Sequence, residues 1–230
     1  MNEEMIVSTI DVEKKSSVLR TIRMYLYLAI KRLFDIVVAL IGLIFLLPVA
    51  LFVKIAYMCT GDFKSIFFTQ NRIGKNGKEF KFFKFRSMIK DADKVLFQLM
   101  EQDPKIKEEY TINKKLTNDP RITKVGRFLR KSSLDELPQV LNILLGHMSI
   151  IGNRPYLPRE KEDMGEYFND IVKTKPGLTG YWQVSGRSNT TFEARLILEK
   201  YYSDHCGLLM DIKIFFKTFY VVLLRKGADK

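Results

Sequence analysis

Residues 33–58 read LFDIVVALIGLIFLLPVALFVKIAYM, an almost unbroken apolar run in a chain of 230 residues. A helix that crosses a membrane needs about 20 such residues, so the length allows one crossing. The run is too long for a secretory signal, and no small-residue cleavage site follows it. Pro48, near its middle, lacks a backbone N–H and clashes with the carbonyl of Ile44, which predicts a bend at that point.

Charges on both sides of this run bear on its topology. Basic residues flank each end, at Arg20, Arg23, Lys31 and Arg32 before it and at Lys64, Arg72 and Lys75 after it. Positive residues stay on the cytoplasmic side, so both flanks favour that side. Each arm beside Pro48 is about 10–15 residues, or ~15–22 Å of helix, and reaches only part of the way through a ~30 Å hydrocarbon core. The sequence therefore favours a re-entrant helix–break–helix, with a spanning helix as the alternative.

Patterning in the rest of the chain predicts one hairpin and several helices. Residues 66–68 and 79–85 flank a Gly-Lys-Asn-Gly turn at 74–77, as in a β-hairpin. Helical spacing predicts helices at 89–101, 191–204 and 208–225, and acidic residues at 160–170 also read as helix. A further helix is expected to begin near Ser133 and to end at Gly146.

The charge balance limits the classes of partner. The chain has 38 Lys and Arg against 26 Asp and Glu, a net charge of +12. Such a surplus needs nucleic acid, phospholipid headgroups or phosphorylated substrates, and composition does not choose among them. The cysteines, Cys59 and Cys206, form no disulfide framework, and His147 and His205 cannot form a zinc cluster with them.

The sequence Ser133-Leu134-Asp135-Glu136 permits two interpretations. Ser133 with Glu136 three residues later is a helix capping box, in which Asp135 only complements the helix dipole. The alternative is chemical. Asp135 follows a run of cations, which predicts a low pKa and an ionised carboxylate: Arg121, Lys124, Arg127, Arg130 and Lys131. Such a carboxylate can attack phosphorus while the cations hold a diphosphate, and Mg²⁺ suits a site of one or two carboxylates plus phosphates.

Other basic residues lie in short motifs. Lys84 and Arg86 flank Phe85, and Arg154 lies between Asn153 and Pro155 on a loop of restricted shape. An arginine held in such a loop suits bidentate binding of phosphate. The alternative for each residue is a solvated surface charge.

Several of these stretches together resemble the bacterial sugar transferase family, the monotopic polyprenyl-phosphate phosphoglycosyl transferases. The matching stretches occur in the family's order and cover nearly everything after residue 30: KRLFDIV (31–37), FFTQNRIGKNGKEFKFFKFRSM (67–88), LTNDPRITKVGRFLRKSSLDELPQVLNIL (116–144), SIIGNRPYLP (149–158) and KPGLTGYWQVSGR (175–187).

This resemblance implies a reaction. Asp135 corresponds to a nucleophile that attacks the β-phosphorus of a UDP-sugar, and Glu136 assists it. UMP leaves, and undecaprenyl phosphate then attacks the phosphosugar–aspartate intermediate. Mg²⁺ is the implied cofactor, contacted by Asp135 and the diphosphate. The sugar is expected to be glucose or galactose, for exopolysaccharide or capsule assembly. The implied phosphate-binding positions are Lys84, Arg86, Arg130, Arg154 and Arg187.

The resemblance also implies an architecture, a helix-rich α/β fold in a compact monotopic membrane domain with interfacial amphipathic helices. Residues 1–30 are expected to form an N-terminal extension with an interfacial amphipathic helix, 31–60 a re-entrant helix broken at Pro48, and 61–230 a cytoplasmic catalytic domain. The implied location is the cytoplasmic face of the bacterial inner membrane, on anionic lipids. A homodimer is a candidate oligomer.

Two residues depart from the family's pattern, His147 where Asp is usual and Asn153 where Pro is usual. Both flank the loop of Arg154 and leave the Asp135–Glu136 dyad unchanged. A different class of protein, a basic membrane-anchored adaptor without catalysis, would also account for the charge and the anchor. It does not explain why the dyad lies inside a long matched motif. Nucleic-acid binding is not expected, because the basic residues form no recognisable binding module.

Overall fold

A computed structural model describes residues 3–186 and 190–223, with side chains from residue 17 to residue 221 outside that gap. It is a helix-rich α/β chain that begins with one long helix, α1 (Glu3–Cys59). Over residues 17–59 this helix is long and apolar enough to cross a membrane. The helix continues through Pro48, so the predicted break is not present as an interruption. One proline removes a single hydrogen bond, and strong helix formers on both sides can carry the helix past it.

One face of α1 packs along the rest of the molecule. Its buried positions follow helical spacing, at Asp35, Ala39, Val53 and Tyr57. The opposite face is apolar and exposed, and it includes Ile44 and Leu47, which are 72% and 78% exposed. The sequence predicts a boundary at residue 30 between an interfacial helix and a membrane helix. In the structure, α1 runs through this position as one helix.

The predicted hairpin is confirmed. Strands β1 (Phe67–Ile73) and β2 (Glu79–Phe85) pair antiparallel, with Phe67 opposite Phe85 and Ile73 opposite Glu79. In the connection, Asn76 and Gly77 have φ of 57° and 74°, the left-handed region that asparagine and glycine tolerate best. Phe80 and Phe82 point inward from β2, which places Lys84 on the same face of the strand.

The region after the hairpin corrects one prediction. Helices α2 (Ala92–Gln102) and α3 (Pro104–Asn113) precede α4 (Lys124–Ser132). Ser133 does not start a helix: it ends α4 with φ of 57° and makes no side-chain cap hydrogen bond. A single 3₁₀ turn, Leu134–Glu136, follows, and α5 (Gln139–Leu144) begins after Pro138. The capping-box interpretation is wrong, because Pro138 and the left-handed Ser133 divide the expected helix into a turn and a short helix.

The C-terminal half is built around two short parallel strands, β3 (Ser149–Ile151) and β4 (Gly177–Thr179). Between them lie the one-turn helices α6 (Lys161–Met164) and α7 (Phe168–Ile171). Helix α8 (Tyr181–Ser185) follows β4. The predicted C-terminal helices are present as α9 (Phe192–His205) and α10 (Leu208–Leu223).

Polar side chains of α1 fasten it to this domain. Arg32 donates to the carbonyls of Ile143 (2.6 Å) and Leu144 (2.8 Å), at the C-terminal end of α5, where a cation complements the helix dipole. Asp35 accepts hydrogen bonds from the hydroxyl of Ser149 (2.9 Å) and from the backbone N–H of Ile150 (2.8 Å), both in β3. The helix is therefore held against the two elements that follow the Asp135–Glu136 turn.

Candidate active site

The tight turn between α4 and α5 determines where the two carboxylates point. Leu134 and Leu137 pack into the core beside Leu129 and Phe85 and anchor the turn on both sides. Asp135 faces inward and is 6% exposed, whereas the side chain of Glu136 is 38% exposed. The turn thus holds one carboxylate inside the protein and the other at its surface.

Lys84 connects the dyad to the hairpin. Its Nζ lies 2.8 Å from Oε1 of Glu136 and 3.4 Å from Oδ2 of Asp135. It also lies 5.6 Å from the centroid of the Phe82 ring, a cation–π distance. Residues 52 positions apart in sequence therefore form one charged cluster, and the sequence prediction that groups Lys84 with the dyad is consistent with their proximity.

The pKa of Asp135 differs from the low value that the sequence predicts. Burial raises the pKa of its carboxyl above the usual range, and the negative charge of Glu136 raises it further. Lys84 and Arg130 act in the opposite direction without overcoming the burial. The nearby cations are visible in the sequence, whereas the cost of desolvating a carboxylate that faces the interior depends on the fold.

The predicted basic residues divide into two groups. The charge of Arg130 reaches Asp135, and its Nε donates to Ser87 Oγ at 2.9 Å. Arg86 is engaged elsewhere: it pairs with Asp62 at 2.8 Å, donates to the carbonyl of Ser65 and stacks 4.3 Å from the Tyr57 ring centroid. Arg130 therefore lies in the field of the dyad, and the contacts of Arg86 join the hairpin to the end of α1. Arg187 lies outside the described residues.

Arg154 lies on the loop after β3, and hydrogen bonds to neighbouring elements hold this loop in place. The buried amide of Asn153 donates to the carbonyl of Ile171 (3.1 Å) and to Ser203 Oγ (2.7 Å). The backbone N–H of Arg154 donates to Oε1 of Glu199 at 3.1 Å. Asparagine at position 153 thus serves as a buried connector, a role that proline could not fill because it has no side-chain donor.

Sequence reasoning missed two further arginines close to Arg154. Arg72 donates to the carbonyl of Pro155 at 2.9 Å. Burial and the charge of Arg154 lower the pKa of Arg72 to about 10. Arg195 stacks 4.3 Å from the Trp182 ring, and Arg154 lies 5.9 Å from the same ring. Burial likewise lowers the pKa of Arg195. Within the described ranges, the Nε atoms of all three guanidinium groups are buried without a hydrogen-bond partner.

This arginine cluster (Arg72, Arg154 and Arg195) has the chemistry of an anion site. Like charges in a buried site raise each other's energy, and an anion relieves that repulsion. The charge of Glu136 in the dyad also acts on Arg72, although less than burial and the charges of Arg154 and Glu160 do. Arg72 and Trp182 both lie inside motifs already quoted, and Trp182 is the chain's single tryptophan. Nothing in the sequence marked Arg195 or Glu199.

The carboxylates of this site could bind a metal ion only if the substrate supplied further ligands. Among the described residues, no group of three or more His, Cys, Asp or Glu side chains could hold an ion. Asp135 and Glu136 are adjacent carboxylates in one turn. Mg²⁺ is commonly bound by one or two carboxylates together with substrate phosphates and water. The residues therefore fit a magnesium ion that arrives with a diphosphate.

Comparison with known proteins matches residues 26–225 to the family described as bacterial sugar transferase. The chain is 42% identical over 198 residues to the exopolysaccharide production protein ExoY of Sinorhizobium fredii, covering 86% of this chain and 87% of that protein. It is 43% identical over 199 residues to an undecaprenyl-phosphate galactose phosphotransferase of Salmonella typhimurium. It is 36% identical over 208 residues to a UDP-glucose:undecaprenyl-phosphate glucose-1-phosphate transferase of Escherichia coli. Each of the last two matches covers 86% of this chain and 41% of the longer relative.

Proposed function

The chain belongs to the bacterial sugar transferase family, and on that premise we propose that it transfers a hexose 1-phosphate from a UDP-hexose to undecaprenyl phosphate. The sugar is galactose or glucose, and the product enters exopolysaccharide or capsule synthesis. Relatives named for both sugars are similar to this chain over 86% of its length. The observation that carries the proposal is the buried carboxylate of Asp135 beside Lys84, within the field of Arg130.

The proposed chemistry has two displacements at one phosphorus atom. An oxygen of Asp135 bonds to the β-phosphorus of the UDP-hexose, and the bond from that phosphorus to the bridging oxygen breaks, so that UMP leaves with the electron pair. An oxygen of undecaprenyl phosphate then bonds to the same phosphorus and releases Asp135. The products are UMP and undecaprenyl-diphosphate-hexose. The covalent step divides one difficult transfer into two easier ones.

Each charged residue has a proposed role in these displacements. Lys84 and Arg130 hold phosphate oxygens next to Asp135, because both charges already act on its carboxyl. Arg154 binds the diphosphate as part of the arginine cluster. Glu136 positions Lys84 through their 2.8 Å contact. Arg187 and Arg86 remain predicted phosphate ligands on the resemblance alone. When bound, Mg²⁺ would be held by Asp135 and the diphosphate and would neutralise phosphate charge.

The proposed membrane placement rests on the two ends of the apolar run. Arg32 at its start contacts α5, and Tyr57 at its end donates to the carbonyl of Arg86 in the same domain. Two ends that touch one domain lie on that domain's side of the bilayer. We therefore place α1 as a monotopic, re-entrant element that bends at Pro48 within the bilayer, with the catalytic domain on the cytoplasmic face of the bacterial inner membrane. The net charge of +12 suits the anionic lipids of that surface.

The test measures UMP release by the purified chain in detergent with Mg²⁺, undecaprenyl phosphate and a panel of UDP-sugars. We expect release with UDP-galactose or UDP-glucose, and acid-stable labelling of the protein by radioactive sugar phosphate. Asp135→Asn should lower turnover at least about a thousandfold and remove the label. Asp204→Asn is the matched control, because this carboxylate is 40% exposed and pairs with Lys200 on α9.

Three outcomes would count against the proposal in different ways. Release only with UDP-acetamido sugars would contradict the hexose assignment and leave the mechanism intact. Turnover in Asp135→Asn near the wild-type rate would rule out this residue as nucleophile. Absence of release with every UDP-sugar, together with binding to anionic vesicles, would favour the non-catalytic adaptor.

A further inference from the structure

A cavity of about 130 Å³ lies between α1 and α10, away from the dyad's turn and beside β3. Most of its lining is apolar, formed by Ile30, Phe34, Ile151, Ile212, Phe215 and Phe216. Lys31, Asp35 and Asp211 supply the charged part of the lining. The rings of Phe34 and Phe215 meet edge to face, with centroids 5.2 Å apart. A dry cavity of ~150 Å³ lined by similar side chains accepts a benzene-sized molecule, so this one has room for about one five-carbon unit of hydrocarbon.

The surface around the cavity is the surface that faces lipid in the proposed placement. Ile30 on α1 is 40% exposed, and Ile212 and Phe216 on α10 are 43% and 67% exposed. All three line the cavity. Large apolar side chains this exposed, on two adjacent helices, mark a membrane or ligand surface. The cavity is therefore open to a hydrocarbon chain that lies in the bilayer.

The charged groups that line the cavity are already hydrogen-bonded within the protein. Asp35 accepts from Ser149 and Ile150 of β3. The three N–H groups of Lys31 are directed to Ile151 O (2.8 Å), Asp211 Oδ2 (2.5 Å) and Tyr202 OH (3.4 Å). Tyr202 donates to Asp211 Oδ1 at 2.8 Å, and Tyr27 donates to Asp211 Oδ2 at 2.9 Å. A phosphate headgroup would have to break this network to reach Lys31. The site suits a neutral chain.

We propose that this cavity holds the prenyl chain of the lipid acceptor, near its phosphate end. The inference rests on the proposed function, since it gives that reaction's acceptor a binding site. Lys31 binds the carbonyl of Ile151, and Arg154 follows three residues later, within ~10 Å along the chain. Once UMP has left, an acceptor whose phosphate lies at the Arg154 loop can therefore place an early isoprene unit in the cavity.

The test uses a variant with a larger side chain at the rim of the cavity and measures the KM for each of the two substrates. Ile212→Trp places a larger side chain at the cavity from a position that is 43% exposed, so the core need not move. We expect the KM for undecaprenyl phosphate to rise about tenfold, while the KM for UDP-hexose stays unchanged. Leu209→Trp is the matched control, because it is exposed on the same helix and does not line the cavity, and it should leave both constants unchanged.

A benzophenone-bearing prenyl phosphate supplies a readout that does not need turnover. It should crosslink to α10 in the wild type and Leu209→Trp, and several-fold less in Ile212→Trp. If Ile212→Trp does not fold, Ile30→Trp fills the same cavity from α1, where that residue is 40% exposed.

An unchanged acceptor KM in a folded variant, or crosslinking equal to wild type, overturns the proposal. The proposal would also be overturned if a cavity variant changed the melting temperature in phospholipid nanodiscs and left the acceptor KM unchanged. The cavity would then be assigned to a phospholipid chain. Failure of the wild type to release UMP would count against the proposed function, and the crosslink would still decide the cavity.

Discussion

Lys84 is the residue through which the hairpin acts on both carboxylates of the dyad. Its ammonium group lies within 3.4 Å of Asp135 and 2.8 Å of Glu136. Lys84→Met should therefore lower kcat/KM for UDP-hexose by ~10²–10³-fold, the usual effect of removing a charge that stabilises a transition state. Steady-state UMP release checks this. Lys81→Met is the control, because Lys81 is exposed on the other face of the same strand. An equal loss of activity in Lys81→Met would show that the total positive charge matters and the position of Lys84 does not.

Glu199 should make the stability of the protein depend on pH. Burial raises the pKa of this carboxyl to about 8, although it accepts a hydrogen bond from the backbone of Arg154 and lies near Arg195 and Tyr156. A raised pKa means that the folded protein keeps the proton longer than the unfolded chain. The stability that this group contributes is present at acidic pH and is lost as pH rises from about 4.5 toward 8.

The measurement is thermal unfolding from pH 5 to pH 8. Glu199→Gln keeps an acceptor for Arg154 and cannot ionise, so its slope should be shallower than that of the wild type by up to ~1.4 kcal/mol per pH unit. Glu166→Gln, at an exposed position, should leave the slope unchanged. Parallel slopes for wild type and Glu199→Gln would mean that Glu199 stays ionised in the folded protein.

At the scale of elements, one glycine allows α1 to pack closely on α5. A Cβ added to Gly42 would lie 2.7 Å from Cγ1 of Val140, closer than packed atoms allow. Gly42→Leu should therefore destabilise the fold by ~1–3 kcal/mol in thermal unfolding. It should also lower kcat, because α5 directly follows the Asp135–Glu136 turn.

A double variant separates this contact from a general effect on the helix. Val140→Ala makes room on α5, so Gly42→Leu combined with Val140→Ala should lose less stability than the sum of the single variants. Gly207→Leu is the control, since nothing lies within 4 Å of a Cβ built there, and its change should stay within about 0.5 kcal/mol. Strict additivity would mean that the two helices do not meet at Gly42.

Elements set by local chemistry were predictable, and those set by distant contacts were not. The hairpin follows from a turn containing Asn76 and Gly77, whose residues favour the φ angles found there. The helix expected from Ser133 failed because two local signals disagreed, a capping pattern and Pro138. The sequence alone could not decide that Ser133 would adopt φ of 57°. The β3–β4 pairing joins residues 28 positions apart (Ser149 and Gly177) and leaves no periodic pattern in either strand.

The residues of the candidate site also divide into those that local sequence predicts and those that only distant contacts reveal. Asp135, Glu136, Lys84 and Arg130 belong to matched motifs, and the fold brings Lys84 and Arg130 into contact or electrostatic range of the dyad. Arg195 and Glu199 reach the Arg154 loop from α9, and only the packing of that helix reveals them. The pKa of Asp135 was predicted with the wrong direction, because burial is a property of the folded chain and not of the neighbouring letters.

At the scale of the whole molecule, the long helix and the bilayer must be reconciled. The 43 residues from Ser17 to Cys59 would extend ~65 Å as a straight helix, about twice the ~30 Å hydrocarbon core. Contacts at Arg32 and Tyr57 hold α1 to one domain. A straight perpendicular crossing would need the domain to follow the helix through the membrane. A helix lying partly in one leaflet needs no such movement.

The placement of α1 on one side of the bilayer predicts the sidedness of both ends of the helix. In a chain with Cys59 and Cys206 changed to serine, single cysteines at Ser17→Cys and Lys64→Cys should both be protected from a membrane-impermeant maleimide in intact cells. Both should react once the cytoplasmic face is opened. Lys161→Cys, at an exposed position in the catalytic domain, reports that face. Labelling of position 17 in intact cells, with position 64 protected, would mean that α1 spans the bilayer and that its contact through Arg32 does not form in the membrane.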